Sequence, residues 1–439
     1  MPADADRSAR TILIISQVYV PDPAAVGQHM ADAAAELARR GFRVKVLTSA
    51  RGYENPGRKF PARETLDGVE VRRLPLSSFG KRSIPIRLLG GVLFLAQAVV
   101  LGLFTRRLAA LVVSTSPPMC PVGAMVISFL RRTPITYWVM DLNPDQMIAL
   151  GKITADSTPA RIFDRFNRMI LRRARAVVPL DRFMAERLCR KLDARAKMTI
   201  IPPWPPEDPA DPIPREANPF RVRHGLRDKF VIMYSGNHGP SSPMTTVIQA
   251  ALRLQDEKRL VFLFVGGGSG KREVELAIQE RGAANIRSLP YQPLASLRES
   301  LSAADVHLVT VGDAIVGIVH PSKVYGAMAV GRPILLLGPR PCHVTDLLDG
   351  HAVGWRIAHG DVDGAVRVIR EILAADPATL DAMGSVAASV VRAGLSKRAL
   401  CGRFCDVIER TMGLEPARDA VASPEHEPSG PGAPRIEHA

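Results

Sequence analysis

Short apolar runs alternate with stretches of helical patterning along most of the chain. In the first half the runs are TILIIS (11–16), RVKVLTS (43–49), LAALVVST (108–115), PITYWVM (134–140), AVVPL (176–180) and MTII (198–201). In the second they are FVIMYSG (230–236), RLVFLFVGGG (259–268), NIRSLP (285–290), VHLVTV (306–311) and RPILLLG (332–338), with AVGWRI (352–357) as a further candidate. Runs without internal polar alternation, separated by helical patterns, predict parallel strands covered by helices on both faces. One such helix, QHMADAAAELARR over 28–40, stops at Gly41, a residue suited to the left-handed position that ends a helix.

The pattern is interrupted once, by the proline-rich stretch IPPWPPEDPADPIPREANPF (201–220), which neither a helix nor a central strand accommodates. It divides the chain into an amino-terminal Rossmann-like domain (10–200), a linker (201–222) and a second Rossmann-like domain (223–395), followed by a closing helix (396–413) that returns toward the first domain. Residues 1–9 and 414–439 are polar or rich in Pro, Gly and charge, and are expected to be disordered. The fold class is α/β: two domains whose parallel sheets face each other across a cleft at the strands' carboxyl ends. The 439 residues suit two domains of ordinary size.

One segment departs from this alternation. IPIRLLGGVLFLAQAVVLGLFTRR (84–107) contains 17 uncharged residues, 88–104, between arginines at 82, 87, 106 and 107. That is the lower edge of a membrane span. A span would split the first domain across the bilayer, which leaves a helix in the membrane interface or one buried against the sheet. The net charge of +15, from 58 basic and 43 acidic residues, suits an anionic partner. Aromatic content of 5% and basic residues spread along the chain argue against nucleic acid. The five cysteines form no CxxC pair and no metal-ligand spacing, so a reducing, cytoplasmic setting without a metal is expected. Cys401 and Cys405 share one helix face as small apolar groups. TILII is too short for a signal peptide's apolar region.

Chemistry concentrates where strands run into glycines. FVIMYSGNHGPSSPMTT places Ser235, Gly236, Asn237, His238 and Gly239 at a strand–helix junction, where backbone N–H groups can approach a phosphate. FVGGGSGKRE (264–273) repeats the device around Gly266, and the backbone near Leu289–Tyr291 is placed to read a base edge. In HPSKVYGAMAVGRPILLLG (320–338), Ser322 stands at the N-cap region and Lys323 in the first helical turn. A lysine there opposes the helix dipole, which makes sense if phosphate occupies the site. The first loop, QVYVPDPAAVG (17–27), has no GxGxxG, so dinucleotide binding is not indicated.

Taken in order, YSGNHG (234–239), FVGGG (264–268), NIRSLPYQP (285–293), SAADVHLV (302–309) and PSKVYGAMAVGRPIL (321–335) resemble the nucleotide-sugar-binding domain of retaining GT-B glycosyltransferases of family four. The first half agrees through SQVYVPDPAAVGQHMADAAAELARRGFRVKVLTS (16–49), YWVMDLNPD (137–145) and IPPW (201–204), particularly with members that build bacterial surface polysaccharides. The resemblance covers nearly all of 11–410. Two departures stand out. Many members carry glutamates at the positions of Ile318 and Gly326, so ribose recognition is unassigned, and Gly326 is expected where ligand approaches the backbone. GPSSPMTT (239–246) lacks the usual basic residue, which leaves Lys323 to carry most of the charge, with Lys271 and Arg272 as substitutes.

The resemblance implies a nucleotide-sugar donor, transfer with retention of configuration, no metal and no cofactor. The leaving diphosphate falls to Lys323, Ser322 and the turn Ser235, Gly236, Asn237 and Gly239, with Gly27 letting the first-domain loop close on the donor. Asp141, just after the buried strand ITYWVM, is the catalytic or acceptor-orienting candidate, with an ordinary loop-capping role as its alternative. His29 and His238 are placed in cleft-facing loops. His238, Gly266, Leu289, Tyr291, His320, Tyr325 and Gly326 are the expected donor sugar or nucleoside contacts. The implied acceptor is a lipid-linked glycan, reached by peripheral contact with the inner face of the membrane. A sugar-nucleotide epimerase on the same fold and a non-catalytic scaffold stay open as alternatives.

Overall fold

Two parallel sheets of the same winding make up the protein. The computed structural model describes residues 7–22, 24–52, 57–77 and 84–416, with residues 84, 85, 87 and 88 described in their backbone only. The first sheet contains β1 (Thr11–Ile15), β2 (Arg43–Ser49), β3 (Arg63–Leu66), β4 (Val69–Leu74), β5 (Leu108–Ser114), β6 (Ile135–Trp138) and β7 (Ala176–Val178), in the order β3-β4-β2-β1-β5-β6-β7. The second contains β8 (Phe230–Ser235), β9 (Leu260–Val265), β10 (Ile286–Leu289), β11 (Val306–Thr310), β12 (Ile334–Leu337) and β13 (Gly354–Ile357), ordered β10-β9-β8-β11-β12-β13. Setting aside β3, both orders are the doubly wound pattern, with a topological switch between β1 and β5 and between β8 and β11. Every strand residue of β1, β6, β9, β11 and β12 is buried, as unbroken apolar runs require.

The structure departs from the sequence expectations at several places. MTII is no strand: Met198 makes one isolated bridge to Val177, because the chain there is already turning toward the prolines. The antiparallel hairpin β3–β4 was not foreseen. Its turn is Asp67-Gly68, both at positive φ (49° and 78°), the hairpin signal between alternating residues. The first helix is Ala25–Arg39, and Gly41 at φ 91° ends it as expected. The segment 201–218 contains no helix or strand, but Asn218 caps a short helix, Pro219–Arg223, inside the stretch read as linker. Within 1–9, Arg7 lies 2.8 Å from the buried Glu409; residues 1–6 and 417–439 lie outside the described residues.

The halves are joined by more than the linker. Trp204 stacks on Trp138 (ring centroids 5.4 Å apart) and donates to Asp32 at 2.9 Å. Helix Lys397–Thr411 places Leu400, Cys401, Phe404, Cys405 and Ile408 in the core of the first sheet. The strand-end loop 313–322 lies against the first half. Asp141 forms an antiparallel bridge with Val319, Leu142 N–H donates to Ile318 at 3.0 Å, and Gly317, at φ 70°, has no room for a Cβ beside the Phe183 backbone. Ile318, where the resemblance led one to expect a glutamate, is thereby a core residue of the first half.

Helix Ile84–Leu103 packs one of its faces on the first domain. Phe94 and Ala98 are buried against the domain, and Gly102 and Gly123 let it approach helix Cys120–Arg131. Its other face is exposed. No helix among the described residues is long and apolar enough to cross a membrane.

Candidate active site

At the carboxyl end of the second sheet, two glycine turns interlock. Gly236, at φ 135°, follows β8, and Gly266, at φ 129°, follows β9. A Cβ on Gly266 would lie 2.0 Å from the Gly236 carbonyl oxygen, and one on Gly268 would lie 2.3 Å from Asn237 Oδ1, so neither position admits a side chain. His238 N–H donates to the Gly267 carbonyl at 2.7 Å, and Gly270 N–H donates to the His238 carbonyl at 2.8 Å. Ser235, Gly236, Asn237 and Gly239 therefore form one rigid turn beside the switch point.

Lys323 lies over this turn. A Cβ on Gly236 would meet Lys323 Cε at 3.0 Å, and Nζ stands 4.6 Å from the centre of the Tyr234 ring, within cation–π range. Tyr234 is held by its hydroxyl, which donates to the Asn237 carbonyl at 2.6 Å. The Lys323 ammonium has no ion pair among the described residues. Ser322 occupies the N-cap position of helix Lys323–Ala329, but its hydroxyl caps nothing, which leaves it available beside the lysine.

On the facing half, Asp141 follows β6. Its N–H donates to Thr115 Oγ1 at 3.0 Å, and its carboxylate has no hydrogen-bond partner among the described residues. Burial pushes this carboxyl from 3.8 up to about 6. Its bridge to Val319, four residues before Lys323, ties the acid of one half to the cation of the other.

A hydrogen-bonded relay also joins the two halves. His320 Nδ1 pairs with Asp181 Oδ2 at 2.7 Å, His320 Nε2 with the Tyr325 hydroxyl at 2.9 Å, and that hydroxyl with His343 Nε2 at 2.6 Å. Burial works to raise the Asp181 carboxyl, but the His320 hydrogen bond and charge hold it below the usual range. Burial, then repulsion from His320, lowers His343 to about 3. Burial raises the Tyr325 hydroxyl well above its ordinary value. Ligand atoms of Asp181, His320 and His343 lie within 4.8 Å of one another, a grouping able to hold a metal ion that no spacing in the sequence announces. Both ring nitrogens of His320 are engaged in hydrogen bonds, so binding an ion would mean replacing the relay.

Several expected contacts are thus corrected. His320 and Tyr325 are buried, and both ring nitrogens of His320 are taken up by Asp181 of the first half and by the Tyr325 hydroxyl. Gly326 faces Pro206 and Leu301, and a Cβ there would meet them at 3.8 and 3.5 Å, which is ordinary contact, so the packing does not demand glycine at this position. The Leu289 carbonyl is taken by Gly266 N–H at 3.0 Å and Lys271 Nζ at 2.9 Å, which removes it as a base reader and engages Lys271 in the strand ends. His238 is buried, with Nδ1 3.3 Å from the Gly267 carbonyl; burial lowers it to about 4. His29 lies in a helix, not a loop, edge-on to Trp204 at 5.0 Å, and burial lowers it to about 4. Gly27 packs on the Tyr19 backbone, with only 3.0 Å for a Cβ, so its small size serves helix–loop packing. Tyr291 remains at the rim, 43% exposed, its hydroxyl 3.4 Å from the Gly267 carbonyl. Sequence reasoning missed Tyr234, Thr115, Asp181 and His343; only the histidine preceding Pro-Ser-Lys hinted at the relay.

Comparison with known proteins agrees with this geometry. The model of the glycosyl transferase 4-like domain matches residues 24–204, and that of glycosyl transferases group 1 matches 217–388. The chain belongs to the family-four GT-B glycosyltransferases. It is 28% identical over 283 residues to WbjE of Pseudomonas aeruginosa, named as a glycosyltransferase, covering 64% of this chain and 70% of that one. It is 28% identical over 334 residues to WcaI of Escherichia coli K12, named for colanic acid biosynthesis, covering 73% and 81%. In fold, this GT-B chain is similar to Anabaena HepE in complex with UDP and glucose (TM-score 0.68, 14% identity, 91% and 99% coverage). It is equally similar to the sucrose-phosphate synthase of Thermosynechococcus elongatus (TM-score 0.70, 17% identity, 92% and 99% coverage).

Proposed function

We propose that this glycosyltransferase moves a sugar from a nucleoside diphosphate to a lipid-linked glycan in surface-polysaccharide synthesis, at the inner face of the membrane and with retention of configuration. The observation that carries the reading is Lys323, without an ion pair, lying over the Gly236 turn at the switch point of the second sheet. Charge grows on the leaving diphosphate as the glycosidic bond breaks, and a preorganised cation with backbone N–H donors stabilises it. Lys323, Ser322 and the 235–239 turn supply these groups, so the reading needs no bound metal. Asp141, half-protonated near pH 6, orients the acceptor hydroxyl or exchanges its proton. The HepE complexes with UDP and UDP-glucose support a uridine donor as the first to try. The name of WcaI, for colanic acid biosynthesis, supports a polysaccharide-type acceptor.

The test is release of nucleoside diphosphate from UDP-sugars in the presence of lipid-linked glycans extracted from bacterial membranes. Acceptor-dependent release that falls in both Lys323→Ala and Asp141→Asn supports the reading. Release that needs no acceptor, or interconversion of the sugar nucleotides, contradicts it.

A further inference from the structure

The seam between the halves has a chemistry that the transfer reaction does not use. Asp181 caps helix Arg182–Lys191 of the first half. Its Oδ1 accepts from Met184 N–H at 2.8 Å, which fixes the carboxylate and leaves Oδ2 turned to His320 at 2.7 Å. His320 stands on the loop before helix Lys323–Ala329. His343 is the first residue of helix His343–Gly350, whose start is held by Cys342 N–H donating to Thr345 Oγ1 at 2.8 Å. The two imidazole rings lie 4.3 Å apart between centroids, and Asp181 and His320 are buried. Beside them Arg182 makes a double contact with Asp346 across the same seam, at 2.7 and 2.9 Å. Three ligand-bearing side chains from the two halves are thus positioned by elements that are themselves held in place.

The donor set is two imidazoles and one carboxylate. Magnesium and calcium take oxygen ligands, whereas this set suits a borderline ion such as zinc. Zinc sits about 2 Å from each of its ligands. The ligand atoms of Asp181, His320 and His343 all lie within 4.8 Å of one another, so small rotations of the side chains close them around an ion. The ion takes the place of the proton shared by Asp181 and His320. His320 Nδ1 then binds the ion, and its Nε2 carries the N–H that donates to the Tyr325 hydroxyl oxygen, 2.9 Å away. The same hydroxyl lies 2.6 Å from His343 Nε2, so one buried phenol orients both rings. Metal-bound histidines ordinarily have such outer support.

We infer that Asp181, His320 and His343 form a zinc site that bolts the two halves together beside the Pro-Ser-Lys turn. His320 lies three residues before Lys323, so an ion held there ties the lysine's loop to the first half. The ion is structural. The leaving charge of the proposed transfer falls to Lys323, Ser322 and the glycine turn, and no step of that reaction passes through the zinc.

The test uses the full chain, stripped of metal by a chelator, and zinc alone as the ligand, so it needs no sugar transfer. Zinc is titrated in competition with a chromogenic chelator, and cobalt serves as a coloured substitute whose visible bands report a four-coordinate site. The expected result is about one ion per chain, bound roughly 100-fold or more weakly by Asp181→Ala and by His343→Gln. Zinc should raise the melting temperature of the wild type and not that of either variant. His343→Gln alters a half-buried side chain and keeps the Asp181 cap, so it decides the matter if circular dichroism shows Asp181→Ala unfolded. His351→Gln, at an exposed histidine, should bind zinc as the wild type does. No zinc binding by the folded wild type, binding that His343→Gln leaves unchanged, or binding lost in His351→Gln overturns the inference. Zinc binding without any binding of nucleoside diphosphate would instead sink the transfer reading and leave the zinc site standing.

Discussion

The carboxyl ends of the two sheets share a winding and differ in what they carry. In the second sheet the first strand–helix turn is opened by glycines at positive φ, and a lysine lies over it. In the first sheet the matching helix packs through Gly27 directly on the loop before it, and the chemistry moves outward to Asp141 after β6. One end carries an open glycine turn under a lysine. The other presents a protonatable acid. On the proposed function the same frame yields a donor side and an acceptor side, and the β-bridge between Asp141 and Val319 ties the two ends together.

The difference can be broken from the donor side first. Gly266→Ala forces a Cβ onto the Gly236 carbonyl at a positive φ, so nucleotide binding should vanish and stability should fall by about 2 kcal/mol or more, read by calorimetry and thermal melting. Gly91→Ala, where a Cβ meets nothing within 4 Å, should show neither effect.

On the acceptor side, Asp141→Asn should lower turnover by about 100-fold while nucleotide affinity stays unchanged. Because the folded-state value is about 6 against an ordinary 3.8, the wild-type rate should fall as pH drops through about 6, and the variant should lack that limb. The sign for stability is the reverse: the acid's contribution declines as pH climbs from 3.8 to about 6, since an unpaired, partly buried carboxylate must ionise. The Asn variant should therefore be more stable at pH 8, by about 1 kcal/mol. Equal stability and full turnover would remove Asp141 from the reaction.

The smallest effect belongs to the relay between the sides. Tyr325→Phe removes the hydroxyl shared by His320 and His343 and should cost about 1 kcal/mol in a thermal melt. No change would mean that the histidines pair with each other.

The strands were legible because buried parallel strands are unbroken apolar runs, and the linker because proline excludes both regular structures. The β3–β4 hairpin was also written, in Asp67-Gly68, but its short alternation is easily lost beside the buried runs. The meeting of the glycine turns with Lys323 was foreshadowed as well, by glycines at two strand ends and a lysine after Pro-Ser. Gly326 misled because a helical glycine need not mark a close approach; a Cβ there would make only ordinary contacts with Leu301 and Pro206. The relay of Asp181, His320, Tyr325 and His343 lay beyond reach, since Asp181 and His320, 139 positions apart, meet only through the packing of two domains.

The central claim, a nucleoside diphosphate held by Lys323, is tested most directly by calorimetric titration of UDP and GDP into the wild type and Lys323→Ala. The account predicts binding of one nucleotide that weakens at least tenfold in the variant, about 1.4 kcal/mol. Equal affinity in both proteins, or no binding by the folded wild type, would contradict it.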